Sequence, residues 1–311
     1  MTQQDILFYA TLFGFFSLFF GLCIGSFLNV CIWRIPRGES IVRPGSHCPK
    51  CNAPIRWYQN IPVLSWLCLG GKCANCRQPI SFRYTLVELL TGLLFLTVYL
   101  QWTLPSPLKL VPVETPAIIP CYWLLLAGLI VGTFVDFEHF IIPDSVTLGG
   151  MAVGPALCCL VPQLQGETVW YRGLLWSVVG EAVGFGTLFL VGWLGEKAFK
   201  KEAMGFGDVK LLGAIGAFLG WRATLFVIFA SSLLGSVCGL VLMACRDCAV
   251  MKRFRRRNKS KTACELAAAA RRGLKLDKHI PYGPYLAAGA VIWLFWGEWL
   301  LYGYILLAGG R

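Results

Sequence analysis

From Pro120 the chain runs sixteen residues without a charge, ending in GLIVGTFV, and then meets Asp136. A run of that length and polarity leaves few folds open. In water it must be the core of something large; in a bilayer it is a helix crossing hydrocarbon. It is one of eight such runs, roughly at residues 7–33, 85–103, 120–136, 145–162, 173–195, 209–220, 223–244 and 284–309. Most reach the roughly 20 residues that a hydrocarbon core of about 30 Å demands. With 57% hydrophobic and 14% charged residues, the 311-residue chain lies outside the range of soluble domains. The expectation is an all-α polytopic membrane protein with about eight transmembrane helices. The run at 209–220 is short and glycine-rich, so it is either buried among its neighbours or sits where the bilayer thins.

The net charge of +12 invites a nucleic-acid reading, but its distribution argues for topology instead. Loops 34–84, 196–210 and 245–280 hold 8, 4 and 12 basic residues, so 24 of 28 fall on one side of the eight spans. The other side keeps Lys109, Arg172, Arg222 and Arg311. The positive-inside rule makes the basic side cytoplasmic and puts both termini outside, with anionic lipid head groups as neighbours of the basic loops. The first span is too long for a cleavable signal peptide, has no Ala-x-Ala-like site after it, and is expected to stay as a helix. Its small residues Gly21, Gly25 and Ser26 fall at helical spacing and suit close helix packing.

Residues 34–84 are of a different character, rich in Pro, Arg and turn residues. Cys48-x2-Cys51 and Cys73-x2-Cys76 stand 21 residues apart, near zinc-ribbon spacing. Thiolates two residues apart on a tight knuckle can each take one corner of a tetrahedron around Zn²⁺. A segment this small has little core, and a structural zinc would staple it; a redox dithiol is the alternative. Cys68 reads as a buried thiol. The third pair, Cys245-x2-Cys248, has no partner pair and is a weak metal signal.

Two carboxylates stand at the ends of apolar runs. Asp136 closes one, and Asp208, in MGFGDVKLL, opens another. Ionisable groups so placed are expensive and are functional candidates. Two carboxylates that share a proton support peptide hydrolysis, one activating water and the other polarising the scissile carbonyl. Gly205 and Gly207 let the backbone bend tightly, or approach a substrate chain, beside Asp208. Lys210 supplies a positive charge to a carboxylate or snorkels to lipid heads. Asp144, followed by Ser145, suits a helix N-cap. Glu88 faces a polar cavity or neutralises Arg83 or another base. His139 reads as structural, and Glu181 awaits an interior polar partner. There is no internal repeat, phosphate-binding loop or nucleotide fingerprint.

The order of GSFLNVCIWRIPRGES, HCPKC, GKCANC, FRYTLVELLTG, VDFEHFIIPD, GFGDVKLL and IPYGPYLAAG resembles the type IV prepilin leader peptidases over nearly the whole chain. That family both cuts and N-methylates its substrates. The resemblance implies that Asp136 and Asp208 are the catalytic pair, with Asp208 in the Gly-x-Gly-Asp form. Glu138 stands where many relatives have a second Asp, and keeps the charge. The implied substrates are prepilins and pseudopilins, cut after a Gly on the cytosolic side of a bacterial inner membrane. S-adenosylmethionine is the implied methyl donor, at a site the sequence does not locate.

The resulting organisation is a first transmembrane helix at 1–33, a cytosolic four-cysteine module at 34–84, and a seven-helix peptidase core at 85–311 that carries the basic loop 245–280. Two other classes stay open on the residues alone. A secondary transporter would also carry intramembrane acids, and a membrane-anchored zinc or dithiol module would account for the cysteines.

Overall fold

A computed structural model describes residues 3–103, 116–200, 204–257 and 281–309. The helices are α1 (Gln3–Arg34), α2 (Leu64–Cys68), α3 (Phe82–Thr103), α4 (Ile118–His139), α5 (Asp144–Leu160), α6 (Trp170–Phe199), α7 (Phe206–Arg257) and α8 (Gly283–Gly309). Among the described residues there is no strand, only two isolated antiparallel bridges in the segment between α1 and α3. The Ala-rich stretch after Cys264 lies outside the described residues, as do the side chains of Cys245 and Cys248.

Among the described residues five helices are long and apolar enough to cross a membrane, and α5 and residues 283–297 of α8 are shorter apolar helices. The eight expected runs are all helical because α7 contains two of them. Gly220 breaks α7 with φ 81° and ψ 173°, a conformation open in practice to Gly alone. A Cβ on Gly216 would lie 2.9 Å from the Thr224 hydroxyl. Eight residues apart in a straight helix these groups would be about 12 Å apart, so the chain doubles back at Gly220. The last carbonyls of the first arm, which have no helical partner, are taken by side chains. Gln165 donates to Ala217 and Phe218 at 3.2 Å each, and Ser177 donates to Ala217 at 2.6 Å.

That first arm is buried along almost its whole length. Val209, Leu211, Leu212, Ala214, Ile215, Ala217 and Phe218 are all buried, which is how so short a run is accommodated. It lies flat on α6 because both sides lack side chains there: a Cβ on Gly180 would stand 2.2 Å from the carbonyl oxygen of Gly216. The same device joins α1 to α3. A Cβ on Gly21 would be 2.8 Å from Gly92 Cα, and one on Gly25 would be 2.7 Å from Glu88 Cα. Backbones this close gain dispersion contacts that larger residues forbid.

The segment between α1 and α3 is a tandem of two knuckles. Cys48 N–H bonds to Ala53 O, and Cys73 N–H to Gln78 O; Asn52 N–H bonds to Cys48 O, and Arg77 N–H to Cys73 O. Asn52 and Arg77 both take positive φ, at 55° and 59°. The bridges His47–Pro54 and Lys72–Pro79 match in the same way. The chain therefore does contain a local repeat, ten residues at 46–55 and again at 71–80. Few identities survive between its copies, because backbone hydrogen bonds and the cysteine positions define the knuckle. Cys68 is exposed, not buried.

Candidate active site

Asp136 lies in the last turn of α4 and is 5% exposed. The helix stops there because Phe140 turns to the left-handed region, φ 55°, and its N–H caps the Asp136 carbonyl at 3.0 Å. Ile141, Ile142 and Pro143 then lead directly into α5. Asp208 lies in the first turn of α7, its N–H on the carbonyl of Gly205 at 3.1 Å. It is half-buried, and its Oδ1 has no hydrogen-bond partner.

Ile142 shows how these two ends meet. A Cβ on Gly207, next to Asp208, would be 3.3 Å from Ile142 Cβ. A Cβ on Gly283 would be 3.0 Å from Ile142 Cδ1 and 2.7 Å from Asp136 Oδ2. The end of α4 and the starts of α7 and α8 thus converge on one isoleucine. Gly283 donates its N–H to Asp136 Oδ2 at 3.0 Å. Tyr282, one residue earlier, holds the start of α8 against the second arm of α7 through Ser231 at 2.7 Å. The sequence reading missed this third contributor. The Gly-Pro pair opening an apolar run was its signal, since Pro suits the first turn of a helix and Gly admits a close neighbour.

The nearby bases are used elsewhere. Lys210 pairs with Asp144 at 2.6 Å, and Arg83 pairs with Glu138. Arg83 is thus not the partner of Glu88. Pro143 is the N-cap residue of α5, and Asp144 follows it inside the first turn without a capping bond of its own, so its expected cap role gives way to the ion pair. Among the described residues no basic group pairs with Asp136 or Asp208. Gly205 is exposed, and a Cβ there would stand 3.2 Å from Asp208 Oδ2, so the approach to this carboxylate is kept free of side chain. His139 Nε2 is buried and unpartnered, one residue beyond the Glu138 pair.

The sulfurs of Cys48, Cys51, Cys73 and Cys76 all lie within 4.8 Å of one another, with Cys48 and Cys76 at 3.9 Å. Four Zn–S bonds of about 2.3 Å give sulfur–sulfur edges of roughly 3.8 Å, so the cluster fits the ion. The Ala53 amide and the Asn75 side chain hold the Cys51 thiol down to about 6, and the amides of Cys76 and Asn75 lower Cys73. Cys51 and Cys73 are thus shifted toward the thiolate that a metal binds, whereas burial and the neighbouring cysteine sulfurs push Cys76 up to about 11.

Two family profiles match the chain: the bacterial Peptidase A24 N-terminal domain over residues 19–102, and the type IV leader peptidase family over residues 123–240. A prepilin leader peptidase/N-methyltransferase of Myxococcus xanthus is 42% identical over 239 residues, which are 76% of this chain and 65% of that protein. Proteins of the same name from Aeromonas salmonicida and Pseudomonas aeruginosa are 35% and 30% identical. Those matches cover 91% of each chain for the former, and 94% of this chain and 93% of its relative for the latter. No solved structure matches. Aligned along nearly all of its length with proteins of one name, the chain belongs to the type IV leader peptidase family.

Proposed function

We propose that the chain cleaves the leader peptides of type IV prepilins and pseudopilins after a Gly and N-methylates the new N-terminal residue, with Asp136 and Asp208 as the catalytic carboxylates. The observation that carries this reading is the convergence on Ile142 of the helix ends that carry the two aspartates, with no basic group paired to either among the described residues. Like charges brought together in such an apolar setting cannot both ionise freely, so in this reading the pair holds one proton between them. The ionised member takes a proton from water as it attacks the scissile carbonyl. The protonated member hydrogen-bonds to that carbonyl and stabilises the developing oxyanion. The proton taken from water then reaches the leaving amine, which restores the shared state. The Gly283 N–H, at a helix N-terminus, fixes one oxygen of Asp136 and leaves the other for water or substrate. Gly205 gives an extended substrate backbone room beside Asp208.

In this reading the protein is a multi-pass protein of a bacterial inner membrane, with both termini outside. Its aspartates face the cytosol, on the side that holds the basic loops. One structural Zn²⁺ is held by Cys48, Cys51, Cys73 and Cys76, and S-adenosylmethionine is the methyl donor. Glu138 and Lys210 support the site indirectly, by pairing with Arg83 and Asp144. The deciding experiment incubates purified protein with a prepilin peptide and follows leader release and N-methylation by mass spectrometry. Absence of cleavage by folded, zinc-loaded protein would end this reading.

A further inference from the structure

Between the two cysteine pairs lies IPVLSWLCL, residues 61–69, uncharged throughout and with Ser65 as its only hydroxyl. The knuckles do not need this run, since each closes its own turn through local backbone bonds. The run contains α2. Leu64 and Leu67 stand one turn apart on that helix, so they share a face, and each is 59% exposed. Cys68 beside them is exposed as well, and so is Trp57 just upstream. An apolar face left open in this way marks a surface that meets something apolar.

Two contacts fix the level of α2 against α3. Trp66 donates its indole N–H to the Ile80 carbonyl at 3.2 Å, and its ring meets Phe82, the first residue of α3, edge-on at 5.7 Å. Val63, just before α2, reaches further along and donates its N–H to Glu88 Oε2 at 2.8 Å. Val63 holds φ 62° and ψ −52° to do so, with Leu64 N–H bonded to the Pro62 carbonyl at 2.6 Å. That is the rare, strained γ-turn, and a β-branched residue keeps it only where its surroundings force it to. Beyond Arg83, Glu88 is the one charged residue of α3. It stands about 7.5 Å further along the helix axis than Arg83. The head-group layer on either side of a bilayer is roughly 5–8 Å thick. The start of α2 therefore lies at the boundary between head groups and acyl chains, the depth at which interfacial helices settle.

The charges around the run suit that depth. Glu39 is the only acidic residue in 34–84. Arg56 and Lys72, which flank the run, are exposed and have no acidic partner among the described residues, and the same holds for Arg43, Lys50 and Arg77. Arg37 lies over the ring of Trp33 at the end of α1, 3.7 Å from its centroid. Aromatic rings and long cations together are the side chains that settle at a membrane surface.

We propose that residues 61–69 are sunk into the adjoining leaflet, so that the four-cysteine segment is seated on phospholipid. Leu64 and Leu67 meet acyl chains, Arg56 and Lys72 meet phosphates at either end of the run, and the Glu88 carboxylate holds the seat from below. A soluble protein does not reach a face at that depth. Arg83 leaves the same helix start for Glu138 of α4, which ties the seat to the helix end that carries Asp136. The assignment rests on α3 crossing a membrane and on neither catalytic activity.

Full-length, zinc-loaded protein in nanodiscs of phosphatidylethanolamine and phosphatidylglycerol tests this. Irradiating wild type with a phospholipid that carries a diazirine in its acyl chain needs no variant to fold. The tryptic peptide 57–72 should be labelled within about threefold of peptide 84–109, which contains most of α3. No label on 57–72 overturns the assignment. A genetically encoded nitroxide in place of Leu67 then reads the depth, at a side chain exposed enough to be exchanged. Its collisions with oxygen should outnumber those with water-soluble chromium oxalate, as they should for the same label replacing Leu93 on the exposed side of α3. Collisions dominated by chromium oxalate at Leu67 would put α2 in water. Few collisions with either reagent would mean that protein covers this face, a second copy or another chain. Either result overturns the assignment and leaves the peptidase reading standing.

Discussion

Gly283 donates its backbone N–H to the carboxylate of Asp136 at 3.0 Å, across 147 residues of chain. The start of α8 is therefore part of the proposed active site, and it acts through backbone, where no functional side chain marks it. With Asp208 at the start of α7, the site is built from one helix end and two helix beginnings. Helix N-termini favour negative charge, so α7 and α8 both help to keep carboxylates in a largely apolar setting.

Asp136→Asn and Asp208→Asn each keep shape and remove the ability to hold or pass the shared proton. Prepilin cleavage should fall at least about a thousandfold, a loss of roughly 4 kcal/mol of transition-state stabilisation. Methylation of a substrate supplied already cleaved should persist, as methyl transfer does not use that proton. Single-turnover assays on the two substrates check both halves. A variant cutting at the wild-type rate would sink the catalytic assignment.

Gly283→Ala tests the third contributor. The added methyl would stand 2.7 Å from Asp136 Oδ2 and 3.0 Å from Ile142 Cδ1, so the carboxylate must move. The expected loss is in kcat, up to about a hundredfold, with KM nearly unchanged. A lowered melting temperature with kcat intact would mean that the contact is structural only.

Lys210→Gln should do little. Its partner Asp144 is 65% exposed at the side chain, and exposed pairs contribute about 0–1 kcal/mol. Cleavage should stay within a factor of about five of wild type. A loss as large as that of Asp208→Asn would place Lys210 in the catalytic machinery.

Cys48→Ser and Cys73→Ser each break one knuckle. Zinc measured by mass spectrometry should drop from one ion per chain to a small fraction, and methylation should fall on the order of tenfold or more. Cleavage should suffer less, since the aspartates belong to other helices. Full zinc occupancy in both variants would rule out the four-sulfur site.

Gly25→Ala drives a methyl to 2.7 Å from the Glu88 Cα, where only backbone could yield. Parting α1 from α3 should cost about 1–3 kcal/mol, seen as a lowered melting temperature in detergent. Gly186→Ala, at a position with nothing within 4 Å of the added Cβ, is the control and should melt like wild type.

Uncharged runs near the bilayer thickness, two Cys-x2-Cys pairs and two aspartates at the ends of apolar runs all show in the sequence. Each expresses a local constraint: hydrocarbon needs apolar side chains, a metal knuckle needs fixed spacing, and a carboxylate in an apolar run is conspicuous. The glycines of α1 were legible for the same reason, because small residues at helical spacing mark a face. Only the tertiary structure decided how partners were chosen. Lys210 could serve either a site carboxylate or the surface, and packing gave it to Asp144. Arg83 went to Glu138, leaving Glu88 to bind the strained Val63 amide. Gly220 looked like any other glycine until its φ of 81° doubled α7 back on itself. Nor could sequence show the Gly283 bond, since a backbone N–H is common to every non-proline residue. Its role depends on where the chain brings it, and that is set by contacts far apart in sequence.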